Sequence, residues 1–188
     1  IIAWPDGTAV VGPAWSEGVL VTDLSNPEAC SWIGEGELTI LGQNEELEEN
    51  DDDLLDAIII GLSDYCRKSG IKKIVLGLSG GIDSALAACI ATAAVGSENV
   101  TGISMPSKHS SQHSIDDAKA TAEALGINFS IQPITDLHQA TDSSLSGILE
   151  GGHPVAGENL QARLRGLIVM AHANAHGAMA IATGNKSE

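Results

Sequence analysis

Ser79, Asp83 and Ser84 are the residues of this chain whose type and spacing most directly indicate chemistry. They belong to the segment Ser79-Gly80-Gly81-Ile82-Asp83-Ser84, which follows the apolar run 74–78 and opens an alanine-rich stretch. Glycines accept positive φ angles, which allow successive backbone N–H groups to converge on an anion. A strand, a glycine turn and a helix N-terminus in this order predict a phosphate-binding site.

The phosphate loop lacks the lysine that common NTPase loops carry. In the Gly-x-x-x-x-Gly-Lys-Ser/Thr loop, that lysine reaches the β- and γ-phosphates. Residues 79–84 match Ser-Gly-Gly-x-Asp-Ser instead. This pattern resembles the pyrophosphate loop (PP-loop) of the N-type ATP pyrophosphatases, enzymes that cleave ATP between the α- and β-phosphates and activate a substrate as its adenylate.

Further candidate binding residues follow other predicted elements. Ser104 and Met105 end a predicted strand, where backbone groups and a soft thioether suit an adenine and its ribose. Asn159 and Arg163 have i, i+4 spacing on a predicted helix, and an amide beside a guanidinium suits a carboxamide, carboxylate or phosphate. The segment 183–188 follows a further buried strand and is expected at the same edge of the sheet.

The composition favours an aliphatic α/β domain and disfavours two classes of partner. Hydrophobic residues make up 43% of the chain and aromatic residues only 3%. The formal charge of −16 argues against nucleic acid and anionic membranes, since both attract clustered lysine and arginine. No apolar run reaches the roughly 18 residues of a transmembrane helix, so we expect a soluble, cytoplasmic protein.

Helices and strands are predicted to alternate regularly after residue 54. The predicted helices are 54–69, 84–95, 115–125, 136–149 and 158–175, and the predicted strands are 74–78, 100–105, 127–131 and 178–183. Such alternation predicts a parallel sheet with right-handed crossovers and helices on both faces. By analogy with doubly wound sheets, the strands should lie in the order 127, 100, 74, 178, with ligand at the carboxyl ends of those beginning at 74 and 100.

Two finer expectations concern helix ends and faces. Ser114 is the expected N-cap of the helix at 115–125. The buried stripe of the last helix is expected to follow i, i+4, i+7, i+11 spacing through Leu160, Leu164, Leu167 and Ala171.

The first 53 residues have a different character. Residues 1–24 read as three strands, with a Pro5-Asp6-Gly7 turn between the first two, and 38–40 as a short further strand. Eight carboxylates lie between Glu45 and Asp56 without a basic residue, which indicates a solvated linker. Asp52 or Asp53 is expected to cap the following helix, and the domain boundary is expected near residues 45–53.

Three motifs in series identify a family resemblance. The segments at 79–84, 158–165 (Glu-Asn-Leu-Gln-Ala-Arg-Leu-Arg) and 183–188 (Thr-Gly-Asn-Lys-Ser-Glu) closely resemble the synthetase domain of NAD synthetases. Met105-Pro106-Ser107 fits as well, although His109 stands where an aromatic residue such as Tyr is expected. The resemblance covers residues 54–188 and implies a Rossmann-like fold of the adenine nucleotide alpha hydrolase type.

The resemblance also suggests a domain organisation. Residues 1–25 look like the last strands of the nitrilase-like glutaminase domain of glutamine-dependent members, residues 26–53 form the acidic linker, and 54–188 form the synthetase domain. The glutaminase catalytic residues are not in this sequence. Family synthetase domains continue beyond the last motif, so we expect these 188 residues alone to be inactive and to come from a homo-oligomer.

The resemblance implies a two-step ligase reaction. The carboxylate of deamido-NAD attacks the α-phosphate of ATP, and ammonia, free or from glutamine, then displaces AMP from the adenylate. The implied ATP-binding residues are Gly77, Leu78, Ser79, Gly80, Gly81, Ile82, Asp83, Ser84, Ser104, Met105 and Thr183, of which Ser79, Asp83 and Ser84 are also catalytic. Asn159, Arg163 and Glu188 are implied to bind deamido-NAD, and Asp83 and Glu188 to hold Mg²⁺.

Two alternative functions stay open from the sequence. One is another adenylate-forming PP-loop enzyme, such as a GMP synthetase or a tRNA-modifying enzyme. The other is an adenine-nucleotide-binding module without turnover. Substrate-dependent release of pyrophosphate distinguishes these readings.

Overall fold

The computed structural model describes residues 1–23, 25–42, 51–108, 110–151, 153 and 155–183, apart from the side chains of Pro27, Glu28 and Asp51. The chain divides into two compact units, Ile1–Ile60 and Gly61–Glu188, and the boundary falls inside helix α1. The predictions for Glu188, His109 and the acidic run at 43–50 lie outside the described residues.

The second unit contains a four-stranded parallel sheet in the order β8-β7-β6-β9. Its strands are β6 (Lys73–Gly77), β7 (Val100–Ser104), β8 (Asn128–Ile131) and β9 (Ala178–Ile181). The accompanying helices are α1 (Asp51–Ser69), α2 (Ile82–Val95), α3 (Gln112–Leu125), α4 (Thr135–Leu149) and α5 (Val155–His176). The predicted fold class and strand order are confirmed.

Alternation along the central strand gives the sheet two apolar faces. Ile74 and Leu76 of β6 point into a cluster with buried residues of α1, α2 and α3. Val75 points the other way, into a cluster with Val169 and Ala173 of α5. All three β6 side chains are fully buried, as expected for a strand covered on both sides.

Three local predictions for the helices are wrong. Asp52 and Asp53 lie inside α1, so neither residue is its N-cap. The N-cap of α3 is Ser111, whose hydroxyl oxygen accepts a hydrogen bond from the Ser114 N–H, because the helix begins three residues earlier than its apolar periodicity indicated. In α5, Leu164 is buried as predicted, but Leu167 is exposed. The sheet covers the face that carries Val169 and Ala173, whose small or β-branched side chains fit closely against β6 and β9.

The first unit is built from short antiparallel strands. β1 (Ile2–Ala3), β2 (Ala9–Val11) and β5 (Thr39–Leu41) form one sheet, and β3 (Gly18–Asp23) pairs with β4 (Asn26–Gly34). The predicted turn at 5–7 is present, with Gly7 at φ 90°. The segment 26–42, which the domain prediction assigned to the linker, thus carries β4, whose Trp32 and Ile33 pair with Leu20 and Val19, and β5, which corresponds to the short strand predicted at 38–40.

Among the described residues, no helix combines the length and the hydropathy needed to cross a bilayer.

Candidate active site

A cavity of about 900 Å³ opens at the carboxyl ends of β6, β7 and β9. This is the edge at which ligands bind in open α/β sheets, because the strand order reverses beside the central strand. Its walls come from the loop after β6, the loop after β7, the start of α3, the middle of α5 and the residues after β9. All of these belong to the second unit.

Two hydroxyl groups hold the loop at 79–84 in shape. Ser84 is 3% exposed, and its Oγ donates to the Gly81 carbonyl oxygen at 2.9 Å while accepting from the Ser79 N–H at 3.2 Å. The Ser79 Oγ lies 3.1 Å from the Ser84 Oγ and accepts from the Gly81 N–H. A phosphate therefore meets a loop that is already folded, and it has to compete with the Gly81 carbonyl for the Ser84 hydroxyl hydrogen.

Glycine is required at position 80 of this wall, whereas a side chain at position 77 would displace only the end of the Met105 side chain. Gly80 has φ 83°, and a Cβ there would lie 2.4 Å from the carbonyl oxygen of Ser114. A Cβ on Gly77 would lie 2.9 Å from the Met105 side chain. The loop can therefore lie directly against α3 only because Gly80 has no side chain.

The first turn of α2 has backbone N–H groups that no side chain caps. Its N-cap residue, Gly81, provides no side-chain cap, and the first helical bond runs from the Ala85 N–H to the Gly81 carbonyl oxygen. The N–H groups of the first helical residues therefore lack intrahelical acceptors, and the helix dipole adds partial positive charge. This arrangement suits a phosphate.

The loop after β7 forms the opposite wall. Ser104 is 4% exposed, and Met105 is buried at the edge of the cavity. The Ser104 carbonyl accepts from Gln132, and the Pro106 carbonyl accepts from Ile134, so both ends of the turn are fixed by backbone bonds. Such a rigid wall, with one thioether, suits the flat face of a purine.

One face of α5 extends from the cavity toward the helix N-terminus. Asn159, Arg163, Gly166 and Met170 have i, i+4, i+7, i+11 spacing and share that face. Gly166 and Met170 line the cavity, whereas Asn159 and Arg163 are exposed and do not line it. The Arg163 Nη1 donates to the Asn159 carbonyl oxygen at 3.3 Å.

Most residues that sequence reasoning placed in the ATP site meet at this cavity. Its lining includes Gly77, Leu78, Ser79, Gly81, Asp83, Ser84, Ser104, Met105 and Thr183. Gly80 and Ile82 belong to the loop without lining the cavity, and Ile82 is exposed.

Sequence reasoning did not place Arg165 or the start of α3 in the site. Arg165 lines the cavity together with Ser110, Ser114 and Ile115. Small residues at Ala162 and Gly166, three positions before and one position after Arg165, were a usable signal, because they mark the face of α5 that approaches a ligand. The position of α3 depends on the close contact at Gly80, which sequence spacing does not reveal.

Asp83 is the one carboxylate among the described residues that line the cavity. No group of three His, Cys, Asp or Glu side chains in the described part of the chain is arranged to hold a metal ion. Mg²⁺ commonly needs only one or two carboxylates when substrate phosphates supply the remaining oxygens. Asp83, exposed in the first turn of α2 beside the phosphate donors, fits that kind of site.

The family model described as NAD synthase matches residues 54–188. Among curated proteins, the glutamine-dependent NAD(+) synthetase of Thermotoga maritima is 48% identical over 143 residues, covering 76% of this chain and 25% of that protein. The Rhodobacter capsulatus protein of the same name is 43% identical over 186 residues, covering 98% of this chain and 33% of that protein. The chain thus spans a quarter to a third of these relatives.

Solved structures include a close match in fold. The glutamine-dependent NAD+ synthetase of Acinetobacter baumannii, solved in complex with ADP, superposes with a TM-score of 0.73 at 32% identity. That match covers 85% of this chain and 32% of the other chain.

Proposed function

Because this chain belongs to the NAD synthase family, we propose that its cavity binds ATP and supports the amidation of deamido-NAD to NAD. The observation that carries the proposal is the braced glycine loop at the uncapped start of α2, which lies inside a cavity at the carboxyl ends of β6 and β7. That geometry suits a pyrophosphate group, and the site lacks the loop lysine that serves γ-phosphate transfer.

In the proposed reaction, the loop at 79–84 holds the β- and γ-phosphates, and the adenine lies against the wall at Ser104 and Met105. The deamido-NAD carboxylate attacks the α-phosphorus and forms a P–O bond, while the bond to pyrophosphate breaks. The uncapped N–H groups of α2 stabilise the negative charge of the departing pyrophosphate. Ammonia then attacks the acyl carbon, a C–N bond forms, and AMP leaves.

Mg²⁺, when bound, would neutralise charge on the phosphate oxygens. Asp83 is the described carboxylate suited to hold it, and the family resemblance adds Glu188.

The acceptor is proposed to lie along the exposed face of α5. Asn159 and Arg163 continue the row that Gly166 and Met170 begin inside the cavity. Asn159 lies seven helical residues before Gly166, which is about 10 Å along the axis of α5. An amide and a guanidinium there suit the phosphates or the pyridine carboxylate of deamido-NAD.

A second copy of the chain is proposed to cover this exposed face of α5, which also presents Leu167. Sedimentation of the full-length protein tests whether it forms a homo-oligomer.

Glutamine is the proposed nitrogen source. The Rhodobacter capsulatus relative is named glutamine-dependent and matches nearly the whole chain, including residues ahead of 54. Residues 1–25 are accordingly proposed to be the edge of a glutaminase domain. NAD formation by the full-length protein with glutamine, compared with ammonium, tests this assignment.

The central test is the change of Asp83 to Asn in the full-length protein. We expect deamido-NAD-dependent pyrophosphate release to fall by at least about a hundredfold, since the change removes the carboxylate that would hold Mg²⁺ at the phosphate oxygens. Asp56→Asn is the matched control, because Asp56 is an exposed carboxylate outside the cavity. Equal activity of Asp83→Asn and wild type would exclude the metal role. Pyrophosphate release without deamido-NAD dependence would favour another adenylate-forming enzyme.

A further inference from the structure

The cavity contains two charged side chains among the described residues that line it, Asp83 and Arg165. Arg165 is therefore the one cation in that lining, in a chain whose formal charge is −16. A site for a nucleoside triphosphate and a second anionic substrate needs compensating positive charge, because the phosphate oxygens repel one another.

Arg165 is held in place by a bond to a distant part of the chain. Its Nε donates to the Met105 carbonyl oxygen at 3.2 Å, which ties the middle of α5 to the carboxyl end of β7. A guanidinium has five N–H donors in a planar fork, and this bond uses one of them. The terminal nitrogens make no other hydrogen bond within the described part of the chain.

The position of Arg165 is costly without an anion. Partial burial lowers the pKa of its guanidinium, because desolvation disfavours the charged form. Arg163, two residues earlier, is exposed and bonds its own helix backbone. The two arginines of this helix thus have different environments, and only Arg165 faces the nucleotide loop across the cavity.

We propose that Arg165 is a binding residue for a nucleoside di- or triphosphate, with its Nε anchored on Met105 and its terminal N–H groups donating to phosphate oxygens. The inference deepens the proposed function and rests on it for the identity of the nucleotide. The competing explanation is that Arg165 only braces α5 against β7. A brace affects every ligand of the cavity equally, whereas a phosphate contact affects only phosphorylated ligands.

The test measures equilibrium binding of ADP and of adenosine to the full-length protein and its variants. Arg165→Met keeps most of the side-chain bulk and removes the charge, and Arg165→Lys keeps a charge without the fork. Arg67→Met is the matched control, since it is the same change at an exposed arginine whose described ion pair is with Asp64. If Arg165→Met does not fold, Arg165→Gln takes its place as the neutral variant.

We expect Arg165→Met to weaken ADP binding by about tenfold or more, as for a lost charged hydrogen bond, and to change adenosine binding by less than about twofold. Arg165→Lys should weaken ADP binding less, and Arg67→Met should leave both affinities unchanged. Equal losses for ADP and adenosine, or no loss for ADP, would overturn the proposal.

Measuring NAD formation by the wild-type protein in parallel separates the two claims. If wild type forms NAD and Arg165→Met binds ADP as tightly as wild type, the proposed phosphate contact of Arg165 is wrong and the proposed function is supported. If wild type forms no NAD and Arg165→Met still loses ADP selectively, the phosphate contact stands with a different acceptor.

Discussion

Gly80 makes the tightest backbone contact of the phosphate loop, and it gives a prediction at the scale of one residue. Changing Gly80 to Ala places a Cβ 2.4 Å from the Ser114 carbonyl oxygen at a backbone φ of 83°. We expect the free energy of unfolding to fall by about 1–2 kcal/mol from the positive φ alone, with more from the steric overlap. Chemical denaturation measures this loss, and ADP affinity should fall with it because the loop moves away from α3.

Gly147→Ala is the matched control for the glycine substitution. Gly147 lies inside α4, and a Cβ there would meet no atom within 4 Å. The same substitution should stabilise this helix by about 0.5–1 kcal/mol, because alanine loses less backbone entropy than glycine. A Gly80→Ala protein as stable as wild type would show that the contact with Ser114 is not rigid.

The residues of the phosphate loop were predictable from the sequence, whereas the residues that approach the loop from other elements were not. Ser79, Asp83 and Ser84 follow a buried strand directly, so local spacing sets their place in the fold. Arg165 reaches the site through a bond to Met105, sixty positions away in sequence, which only the packed tertiary structure shows. Residue-level prediction thus succeeds where chemistry is local and fails where it is assembled by packing.

At the scale of an element, the N-cap of α3 predicts different stability losses for substitutions at two nearby serines, Ser111 and Ser114. Ser111→Ala should cost about 1 kcal/mol of unfolding free energy, because its Oγ satisfies the Ser114 N–H. Ser114→Ala removes only the hydroxyl–hydroxyl contact of 2.9 Å and should cost less. Denaturant titration of both variants checks the order, and a larger loss at Ser114 would return the cap to the position that the sequence indicated.

Helix α5 carries a histidine pair with a pH-dependent consequence. The His172 ring lies 4.3 Å from the His176 ring, centroid to centroid, and its buried Nδ1 finds no partner among the described residues. Burial, with a smaller effect from His176, lowers the pKa of His172 below its ordinary value of 6.5. The unfolded chain then binds more protons than the folded one as pH falls below 6.5, so stability is lost on acidification.

The measurement is an NMR titration of the histidine ring protons in wild type and His176→Asn. We expect the His172 pKa to lie below 6.5 and to rise in the variant, because one positive neighbour is removed. The urea midpoint of wild type should fall between pH 7.5 and 5.5. A His172 pKa at or above its ordinary value would contradict the burial of this ring.

Element order was predictable in the second unit because its central strand, β6, is continuous and apolar. Ile74, Val75 and Leu76 are buried from both sides, so their pattern is unambiguous, and β-α alternation then restricts the topology. β4 was less visible, since Pro27 and Glu28 near its start are poor strand formers and its pairing depends on Trp32 meeting Leu20. Short antiparallel strands depend on their partners more than on their own sequence.

At the scale of the whole molecule, the two units differ in how much apolar surface they bury. β6 is paired on both sides and covered on both faces. Among the described residues of the first unit, β3 pairs only with β4, and Val19 and Val21 of β3 and Ile33 of β4 remain exposed. A two-stranded sheet with an open apolar face is marginally stable in water, so the stability of this chain should be concentrated in the second unit.

Amide hydrogen exchange on the 188-residue chain measures that distribution directly. We expect the amides of β6 and β7 to exchange slowly and those of β3 and β4 at least about a hundredfold faster, which corresponds to a difference in opening free energy of about 2.8 kcal/mol. If residues 1–25 are the edge of a larger β-rich domain, as proposed, the same β3 amides should become protected in the full-length protein, because that domain covers Val19 and Val21. Equal exchange rates of the β3 amides in both proteins would mean that no further domain covers this hairpin, and the proposed domain assignment would then lose its physical basis.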